Sequence, residues 1–341
     1  MKNKELLDIY SDYLISAFGQ TTGTGLLGKE RFGAAELWQI VKVYVRQIQQ
    51  EDGVIIIDDT IAEKPYTDEN DIICWHYDHS QDRSVKGINF VTSLYHVGGY
   101  SLPVGFSIVA KTETYMDKKD GKAKRRSPLS KNTMYRELLT AAKRNQIPFR
   151  YVLSDVWYSA ADNRLFIKHD LDKDLIMPLK TNRKVALSEQ AKGDGQWIRL
   201  DQLTLEANTC LEIYLESIDF PLVLLKQVFA NEDGSTGIQY LVSSDTSLSA
   251  DQITTIYRKR WNVEPYHKSL KQNASLEKSP TQTVTTQSNH LFAALCAYIK
   301  LEWLRKTTKL NHFALKTKLY VAALHSAFVT LHQLQPIQLA A

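Results

Sequence analysis

The stretch Val54-Ile55-Ile56-Ile57-Asp58-Asp59-Thr60 decides the fold of this chain. Its β-branched residues favour a strand, and the polar residues that follow predict that this strand ends at Asp58. A later strand, predicted over Phe149–Leu153, is followed in the same way by Ser154-Asp155. We therefore expect an acidic side chain at the end of each of these two strands.

Other segments complete an α/β pattern around these strands. Two apolar runs, Gly87–Val97 and Leu102–Ala110, flank Gly98-Gly99 and predict two strands joined by a tight turn. Strands that alternate with helices in this way imply a mixed sheet flanked by helices. The other predicted elements are a loop over 62–83, a basic loop over 117–126, helices over 132–144 and 160–168, and a strand over 175–179.

Changes in the hydrophobic pattern of the sequence divide the chain into five segments. Residues 1–50 contain two amphipathic stretches, which we interpret either as a DNA-contacting unit or as a helical cap on the core. Short alternating runs separated by turn residues predict an all-β insertion over 181–248. The core lies on either side of it, in 51–180 and 249–310, and 311–341 is a C-terminal helical segment. Helices are predicted over 249–272, 287–306 and 315–331.

The composition is that of an ordinary globular protein of 341 residues, 43% of them hydrophobic. No apolar run approaches the roughly 20 residues that span a membrane, and the N-terminus does not resemble a signal peptide, so we expect a cytoplasmic protein without a membrane partner. Three cysteines without a CxxC pair disfavour a disulfide framework and a thiolate zinc site. The net charge of +4 permits a nucleic-acid partner, and cations cluster in 118–126, 180–184 and 258–271.

The stretch from Tyr257 to Lys271 carries the most distinctive chemistry. A helix turns about 100° per residue, and one face of this stretch would then present an acid among cations and aromatics, whereas a core-facing stripe is aliphatic. Divalent cations prefer oxygen ligands, and two such ions stabilise both the attacking and the leaving oxygen of a phosphodiester. Asp58, Asp155 and Glu264 are therefore candidate metal ligands that must converge on one point. The residues on the helix face are Tyr257, Arg260, Trp261, Glu264, Lys268 and Lys271.

The spacing Tyr257-x2-Arg260-x3-Glu264-x6-Lys271 resembles the Y-(2)-R-(3)-E-(6)-K signature of DDE transposases in the bacterial insertion-sequence four family. The sequence Asp58-Asp59-Thr60 resembles the strand-ending D-x-T motif of that family. The sequence Ser154-Asp155-Val156-Trp157-Tyr158 resembles its second-aspartate motif, and the β-rich insertion before the glutamate also matches. The resemblance covers residues 54–300.

This resemblance implies an RNase H-like core in which Asp58, Asp155 and Glu264 hold two Mg²⁺ or Mn²⁺ ions. It implies cut-and-paste transposition, an endonuclease reaction at the terminal inverted repeats of an insertion sequence followed by strand transfer into target DNA. Paired ends imply a homodimer on double-stranded DNA, and a protein associated with the nucleoid when bound. The resemblance implies DNA contacts by Tyr257, Arg260, Lys268 and Lys271. Arg258, Trp261 and His267 beside them are further candidate DNA contacts, with His267 on the helix surface and Trp261 also expected to anchor the helix.

Several structural alternatives stay open at this point. Asp59 stands beside Asp58, and strand alternation allows only one of them to face the site. Pro265 either kinks the helix or begins a new one. The sequence Cys74-Trp75-His76-Tyr77-Asp78-His79 is either a zinc candidate or a loop that contacts DNA. Trp197 either stacks on a flipped base or packs in the core.

Functional alternatives also stay open. An RNase H-like nuclease without strand transfer has the same fold, and an inactive DNA-binding protein derived from a transposase keeps the fold but loses a carboxylate. A surface helix with an ordinary Glu264–Lys268 ion pair is the plain structural alternative. A glycoside hydrolase is disfavoured because the cations around Glu264 depress the pKa that a general acid needs.

Overall fold

The computed structural model describes residues 2–17, 31–78, 81–118, 120–230 and 234–334. The helices are α1 (Lys2–Ser16), α2 (Ala34–Ile48), α3 (Lys131–Arg144), α4 (Ala161–Leu165), α5 (Glu189–Gly193), α6 (Ala250–Arg258), α7 (Val263–Gln272), α8 (Val284–Thr308) and α9 (His312–Leu334). The strands are β1 (Val54–Glu63), β2 (Ile73–Asp78), β3 (Arg83–Val97), β4 (Tyr100–Ile108), β5 (Glu113–Met116), β6 (Ala123–Arg126), β7 (Tyr151–Ser154), β8 (Asp174–Leu179), β9 (Lys184–Val185), β10 (Ile198–Arg199), β11 (Cys210–Ile213), β12 (Leu222–Ala230) and β13 (Thr236–Ser243).

A nine-stranded mixed sheet lies at the centre of the described structure. Its strands run in the order β11, β12, β13, β8, β7, β1, β3 and β2, and β4 also pairs with β3. Strand β7 is parallel to both of its neighbours, β1 and β8, whereas the other pairs of this sheet are antiparallel. The prediction of a mixed α/β sheet flanked by helices, with helices at both ends of the chain, is confirmed.

Helices cover the sheet, which explains why its middle strands are apolar without alternation. All four residues from Val54 to Ile57 are fully buried. The buried face of α2, formed by Leu37, Val41 and Val45, packs towards β4 and α8. Helix α8 is buried on every side from Gln287 to Ile299, so the helix that we predicted over 287–306 is a central one.

The first strand continues beyond its two aspartates, contrary to the prediction that it ends at Asp58. Strand β1 pairs with β3 along its whole length, up to Glu63 opposite Gly87. Pairing with a long neighbour overrides the local preference of aspartate for turns. The parallel pairing of β1 with β7, however, stops at Ile57, so the aspartates still follow the end of that ladder.

Two predicted loops contain strands. The segment 62–83 includes the edge strand β2, and the basic segment 117–126 forms a hairpin from β5 and β6. Cations of this hairpin pair with neighbouring acids: Lys124 with Asp117, and Arg126 with Glu113. The two strands predicted around Gly98-Gly99 are confirmed as β3 and β4, and both glycines have positive φ angles, 56° and 79°, as a two-residue hairpin turn of type I′ requires.

The segment predicted as a β-rich insertion contains strands, and most of them extend the central sheet. Residues 181–248 include the short helix α5. Strand β13 pairs with β8, so β11, β12 and β13 extend the central sheet on one side. A second apolar cluster, which includes Leu200, Ile213 and Leu222, packs beneath this extension.

The two N-terminal helices form a cap on the core, which was one of the two alternatives. Helix α1 packs against α8 and α9, and the Tyr10 hydroxyl lies 2.9 Å from Nδ1 of His290. Residues 18–30, between these two helices, lie outside the described residues. Among the described helices, none has the length and apolar character needed to cross a membrane.

A buried acidic side chain joins three elements of the fold. Glu302 of α8 accepts hydrogen bonds from His312 Nε2 of α9 over 2.9 Å, from Arg305 over 2.7 Å and from the backbone N–H of Ser101 on β4 over 2.8 Å. Burial alone would raise the pKa of Glu302, but these donors lower it to about 2. The ionised form is therefore the one that the folded chain stabilises.

We expect Glu302→Gln to destabilise the protein at pH 7 by roughly 2 kcal/mol, because a charge-assisted hydrogen-bond network loses its acceptor. The folded pKa lies below the unfolded one, so the contribution is complete above the unfolded pKa and is lost as the pH falls towards 2. Urea unfolding at pH 7 and pH 3 measures the difference, with the exposed Glu137→Gln on α3 as control. An equal loss at both pH values would contradict the assignment.

Candidate active site

Two aspartates come together because of the register between β1 and β7. The parallel pairing ends with Ile57 opposite Ser154. The next residue on β1 is Asp58, and the residue that follows β7 is Asp155. Parallel neighbours lie about 4.8 Å apart, so the register places the two carboxylates beside each other.

Both carboxylates are difficult to ionise in this position. Burial raises the pKa of Asp58 to about 8, and repulsion from Asp155 and Asp59 adds to the effect. Burial also raises the pKa of Asp155, although the N–H groups of Trp157 and Tyr158 donate to its Oδ1 and oppose the shift. Two carboxylates that resist ionisation side by side form a site that a cation stabilises.

Asp59 has a different environment because its charge is balanced within the chain. Its carboxylate pairs with Lys131 Nζ at 2.6 Å and accepts hydrogen bonds from the Tyr158 hydroxyl at 2.8 Å and from Asn89 Nδ2 at 3.0 Å. Burial would raise the pKa of Asp59, but Lys131 and the hydrogen bonds outweigh burial and lower it. Asp58 has no such lysine partner, so it is a better candidate than Asp59 for binding a cation.

A guanidinium lies between Asp58 and Glu264. Arg260 Nη1 is 4.0 Å from Asp58 Oδ2 and 3.9 Å from Glu264 Oε1, so these two oxygens lie within about 8 Å of each other. The Arg260 side chain is largely buried, whereas the Glu264 side chain is 54% exposed. In this structure Asp58 and Asp155 are therefore neighbours, whereas Glu264 is linked to Asp58 only through Arg260, which is close to both.

A metal ion fits the aspartate pair better than it fits the full set of three. Within the described ranges, no three His, Cys, Asp or Glu side chains are grouped closely enough to hold a metal ion. The pair itself consists of buried, hard oxygen donors that ionise with difficulty unless a cation is near, and a divalent cation prefers such donors. The exposed Glu264 side chain would have to turn past Arg260 to complete the predicted convergence.

The segment that carries Glu264 is not one continuous helix. Helix α6 ends at Arg258, a 3₁₀ turn covers Lys259–Asn262, and α7 begins at Val263. Pro265 lies in the first turn of α7, where its missing N–H costs nothing, so the alternative of a new helix is the correct one. The single helical face that we calculated for this stretch is therefore interrupted.

This break buries two of the residues that we expected at the surface. Tyr257 is buried and its hydroxyl donates to the carbonyl of Ser154 over 3.4 Å, next to Asp155. His267 is buried as well, and burial lowers its pKa to about 3, so it is a neutral core residue and not a surface one. Neither side chain is presented to a DNA phosphate in this conformation.

The other predicted DNA contacts are accessible to different extents. Arg258 and Lys268 are exposed, and Lys271 is half-buried and paired with Glu277 at 3.5 Å. Trp261 is 60% exposed, with the Arg260 guanidinium 5.0 Å from its ring centre. It does not anchor the helix, contrary to our expectation.

A family model described as a transposase DDE domain matches residues 129–300, and another, described as a DDE superfamily endonuclease, matches residues 28–201. The chain belongs to the DDE transposase family. Each match covers about half of this transposase, and both include Asp155; the first contains Glu264 and the second contains Asp58. No curated protein matches the chain. The domain is therefore of the transposase nuclease type.

Sequence reasoning missed the residues that separate the two neighbouring aspartates of this transposase. Lys131 lies at the start of α3, and Asn89 lies on β3 opposite Ile61. Tyr158 stands three residues after Asp155, inside the motif that we had quoted for its aspartate. Because the Tyr158 hydroxyl is so close to Asp155 in sequence, the sequence could have indicated that it lies near the carboxylates.

The zinc and base-stacking candidates find no support as binding sites. Cys74 and His76 are buried on one face of the strand β2, which is not the loop that we expected, and no metal-binding group of three occurs in the described residues. His79 lies outside the described residues. Trp197 is half-buried between α5 and β10, so it is not a packed core residue.

The contrast between the two aspartates predicts opposite effects on stability without metal. In EDTA at pH 8.5, we expect Asp58→Asn to stabilise the fold by roughly 1–3 kcal/mol, because it removes a buried charge whose repulsion is present above a pKa of about 8 and relieved below it. Asp59→Asn should destabilise the fold by a similar amount, because it leaves Lys131 without its partner.

Thermal unfolding of both variants and the wild type at pH 8.5 and pH 5.5 provides the measurement. The gain for Asp58→Asn should shrink at pH 5.5, where Asp58 is already protonated in the wild type. If Asp58→Asn lowers the melting temperature as much as Asp59→Asn does, the assignment of roles is reversed or wrong.

Proposed function

We propose that this chain is a cut-and-paste transposase that cleaves DNA at the ends of an insertion sequence and joins those ends to target DNA. The observation that carries the proposal is the register of β1 and β7, which leaves Asp58 beside Asp155 as a buried pair of carboxyl groups that are difficult to ionise. Membership of the DDE transposase family supports the reaction class.

Asp58, Asp155 and Glu264 would hold two Mg²⁺ or Mn²⁺ ions, which supply charge stabilisation to the attacking and leaving oxygens of the phosphodiester. The two aspartates would provide rigid ligands, because Asp58 lies on β1 of the central sheet and Asp155 directly follows β7. Glu264 provides an adjustable ligand because its side chain is largely exposed in the first turn of α7.

Arg260 lies near two carboxylates in the described conformation and would contact a phosphate when DNA binds. In the described conformation its guanidinium balances part of the charge of Asp58 and Glu264. A DNA phosphate is a stronger bidentate partner for a guanidinium than a carboxylate 4 Å away. Binding of the DNA backbone would draw Arg260 away from the carboxylates and leave them to the metal ions.

The exposed cations near Glu264 would hold the DNA backbone. Arg258 lies at the end of α6 and Lys268 lies on α7, so they flank Glu264 along the chain. Phosphate contacts of this type give register and affinity without base specificity. Tyr257 acts through Ser154 and Asp155 as a positioning residue, since its buried hydroxyl reaches the end of β7.

The reaction would proceed by two in-line displacements at phosphorus. In the first, a water oxygen bonds to phosphorus as the 3′ oxygen leaves with a proton, which gives a 3′-hydroxyl and a 5′-phosphate. In the second, that 3′-hydroxyl oxygen attacks a phosphodiester and displaces another 3′ oxygen, so no external energy source is needed. The partners are double-stranded DNA with terminal inverted repeats, target DNA and a second subunit that holds the other end.

The test is cleavage of linear DNA that carries the element's own ends, with Mg²⁺, followed by strand transfer into a plasmid. We expect the wild type to nick at the ends and Glu264→Gln to lose at least about a hundredfold in rate, because it removes one ligand of the charge-stabilising ions. Glu137→Gln, an exposed carboxylate outside the site, is the matched control and should cleave normally.

Two results would overturn the proposal. If the wild type does not cut end-containing DNA, the chain is an inactive DNA-binding relative. If Glu264→Gln cuts as fast as the wild type, this glutamate is not a ligand. Cutting without strand transfer would support a nuclease function and contradict the transposase function.

A further inference from the structure

The turn between β8 and β9 carries cations that have no role in the function proposed above. Lys180, Arg183 and Lys184 are exposed, and none of them forms an ion pair with another described residue. An acid does pack on this turn, since the backbone N–H of Asp201 donates to it, but its carboxylate pairs with Arg199 instead. We call the residues from Lys180 to Lys184 the β8–β9 turn.

The β8–β9 turn lies at the same edge of the sheet as the two aspartates. Strands β1, β7 and β8 are parallel neighbours, so their carboxyl ends meet at one edge. In the register of β7 and β8, Leu153 pairs with Ile176, and the residue level with Asp155 is therefore Pro178. The turn begins two residues later, so a DNA strand with a phosphate at Asp155 would pass close to its cations.

A buried guanidinium lies beneath this turn without an acidic partner. Arg164 of α4 is only 4% exposed. Its Nη2 donates to Ser159 Oγ, which in turn donates to the carbonyl of Pro178 at the end of β8. Its Nε has no hydrogen-bond partner, and no carboxylate among the described residues pairs with it. Arginines are almost never fully buried unless they are paired, so this one requires an anion that the described chain does not supply.

A second guanidinium adds to the unbalanced charge. Burial and the proximity of Arg183 lower the pKa of Arg164 to about 10, so both side chains are still charged at pH 7. Two like charges that share no acid destabilise each other. One oxyanion between them would relieve both, and phosphate suits this place because its oxygens accept two parallel hydrogen bonds from a guanidinium.

The position of this pair favours a phosphate of DNA over a free phosphate. Neighbouring strand residues point to opposite faces of a sheet. Asp58 lies near Arg260, between α6 and α7, whereas Asp59 pairs with Lys131 of α3, so these elements cover opposite faces. Helix α4 is on the α3 side, because its Asn163 forms hydrogen bonds with two residues of α3. Cations therefore flank the aspartates from both faces, and a DNA backbone that crosses the edge bridges the two groups.

We propose that Arg164 and Arg183 form an oxyanion site that binds a backbone phosphate of DNA on the α3 side of the active site. Arg164 is the buried floor of this site and Arg183 is its exposed rim, with Lys180 and Lys184 beside it. The choice of DNA as the partner rests on the proposed function. A phosphate contact of this kind fixes the position of the duplex without reading its sequence.

DNA binding by the full chain tests the site, measured by fluorescence anisotropy in EDTA so that no strand is cut. We expect Arg183→Gln to weaken binding about threefold to tenfold and to reduce the slope of log Kd against log salt by about one, because one phosphate contact is lost. The loss should be equal for a duplex with an element end and for a duplex of random sequence. Arg144→Gln removes the same charge from the exposed far end of α3 and should bind as the wild type does.

Thermal melting without DNA tests the role of Arg164 itself. In phosphate-free buffer, Arg164→Met should melt no lower than the wild type, because an apolar side chain replaces a buried charge that has no counterion. Inorganic phosphate at constant ionic strength should raise the melting temperature of the wild type and leave that of Arg164→Met unchanged. An arginine that only supports Ser159 would give the reverse, a lower melting temperature for the variant and no response of the wild type.

That reverse result would overturn the proposal. Unchanged affinity and salt slope in Arg183→Gln would also overturn it, even with stabilisation by inorganic phosphate, because the bound anion would then not be DNA. Since the Arg183 side chain is exposed, this variant decides the matter if Arg164→Met does not fold. A chain that binds DNA through this site but cuts no element ends would support the site and contradict the proposed function alone.

Discussion

The parallel pairing of β1 with β7 is the constraint on which the rest of the site depends. Its last pair, Ile57 opposite Ser154, sets Asp58 beside Asp155 without any contribution from their side chains. The paired residues of both strands are buried, so a slip of the register would disrupt the packing of the core and is strongly opposed. The energy of the core thus fixes the geometry of two charges that would separate if they were free to do so.

The chain resolves this electrostatic conflict unequally for its two neighbouring aspartates. Asp59 is balanced by Lys131 and by two hydrogen-bond donors, which keeps it ionised and occupied. Asp58 has a raised pKa, and the guanidinium of Arg260 is 4.0 Å from its Oδ2 atom. Stability is lower than a neutral pair would give, and the deficit is recovered when a cation binds. Arg260 moderates the conflict in the described conformation, and under the proposed function a DNA phosphate would take its place as a partner for the guanidinium.

The sequence predicted the strands and the ligands where the information is local. The apolar run before Asp58, the motif around Asp155 and the spacing from Tyr257 to Lys271 are each confined to a short stretch of the sequence. What it missed depends on distant partners: β1 continues past Asp59 because β3 pairs with it, and Lys131 and Tyr158 reach Asp59 from 72 and 99 residues away. The burial of Tyr257 and His267 followed from a helix break that a uniform 100° rotation ignores.

The register of β1 and β7 should build a divalent-cation site from Asp58 and Asp155. Anomalous diffraction from crystals grown with Mn²⁺ and a DNA end is the decisive measurement. We expect manganese density within about 2.5 Å of carboxylate oxygens of both aspartates, with Glu264 turned inward and Arg260 on a phosphate. Manganese bound elsewhere, or at Asp59 with Lys131 displaced, would contradict it.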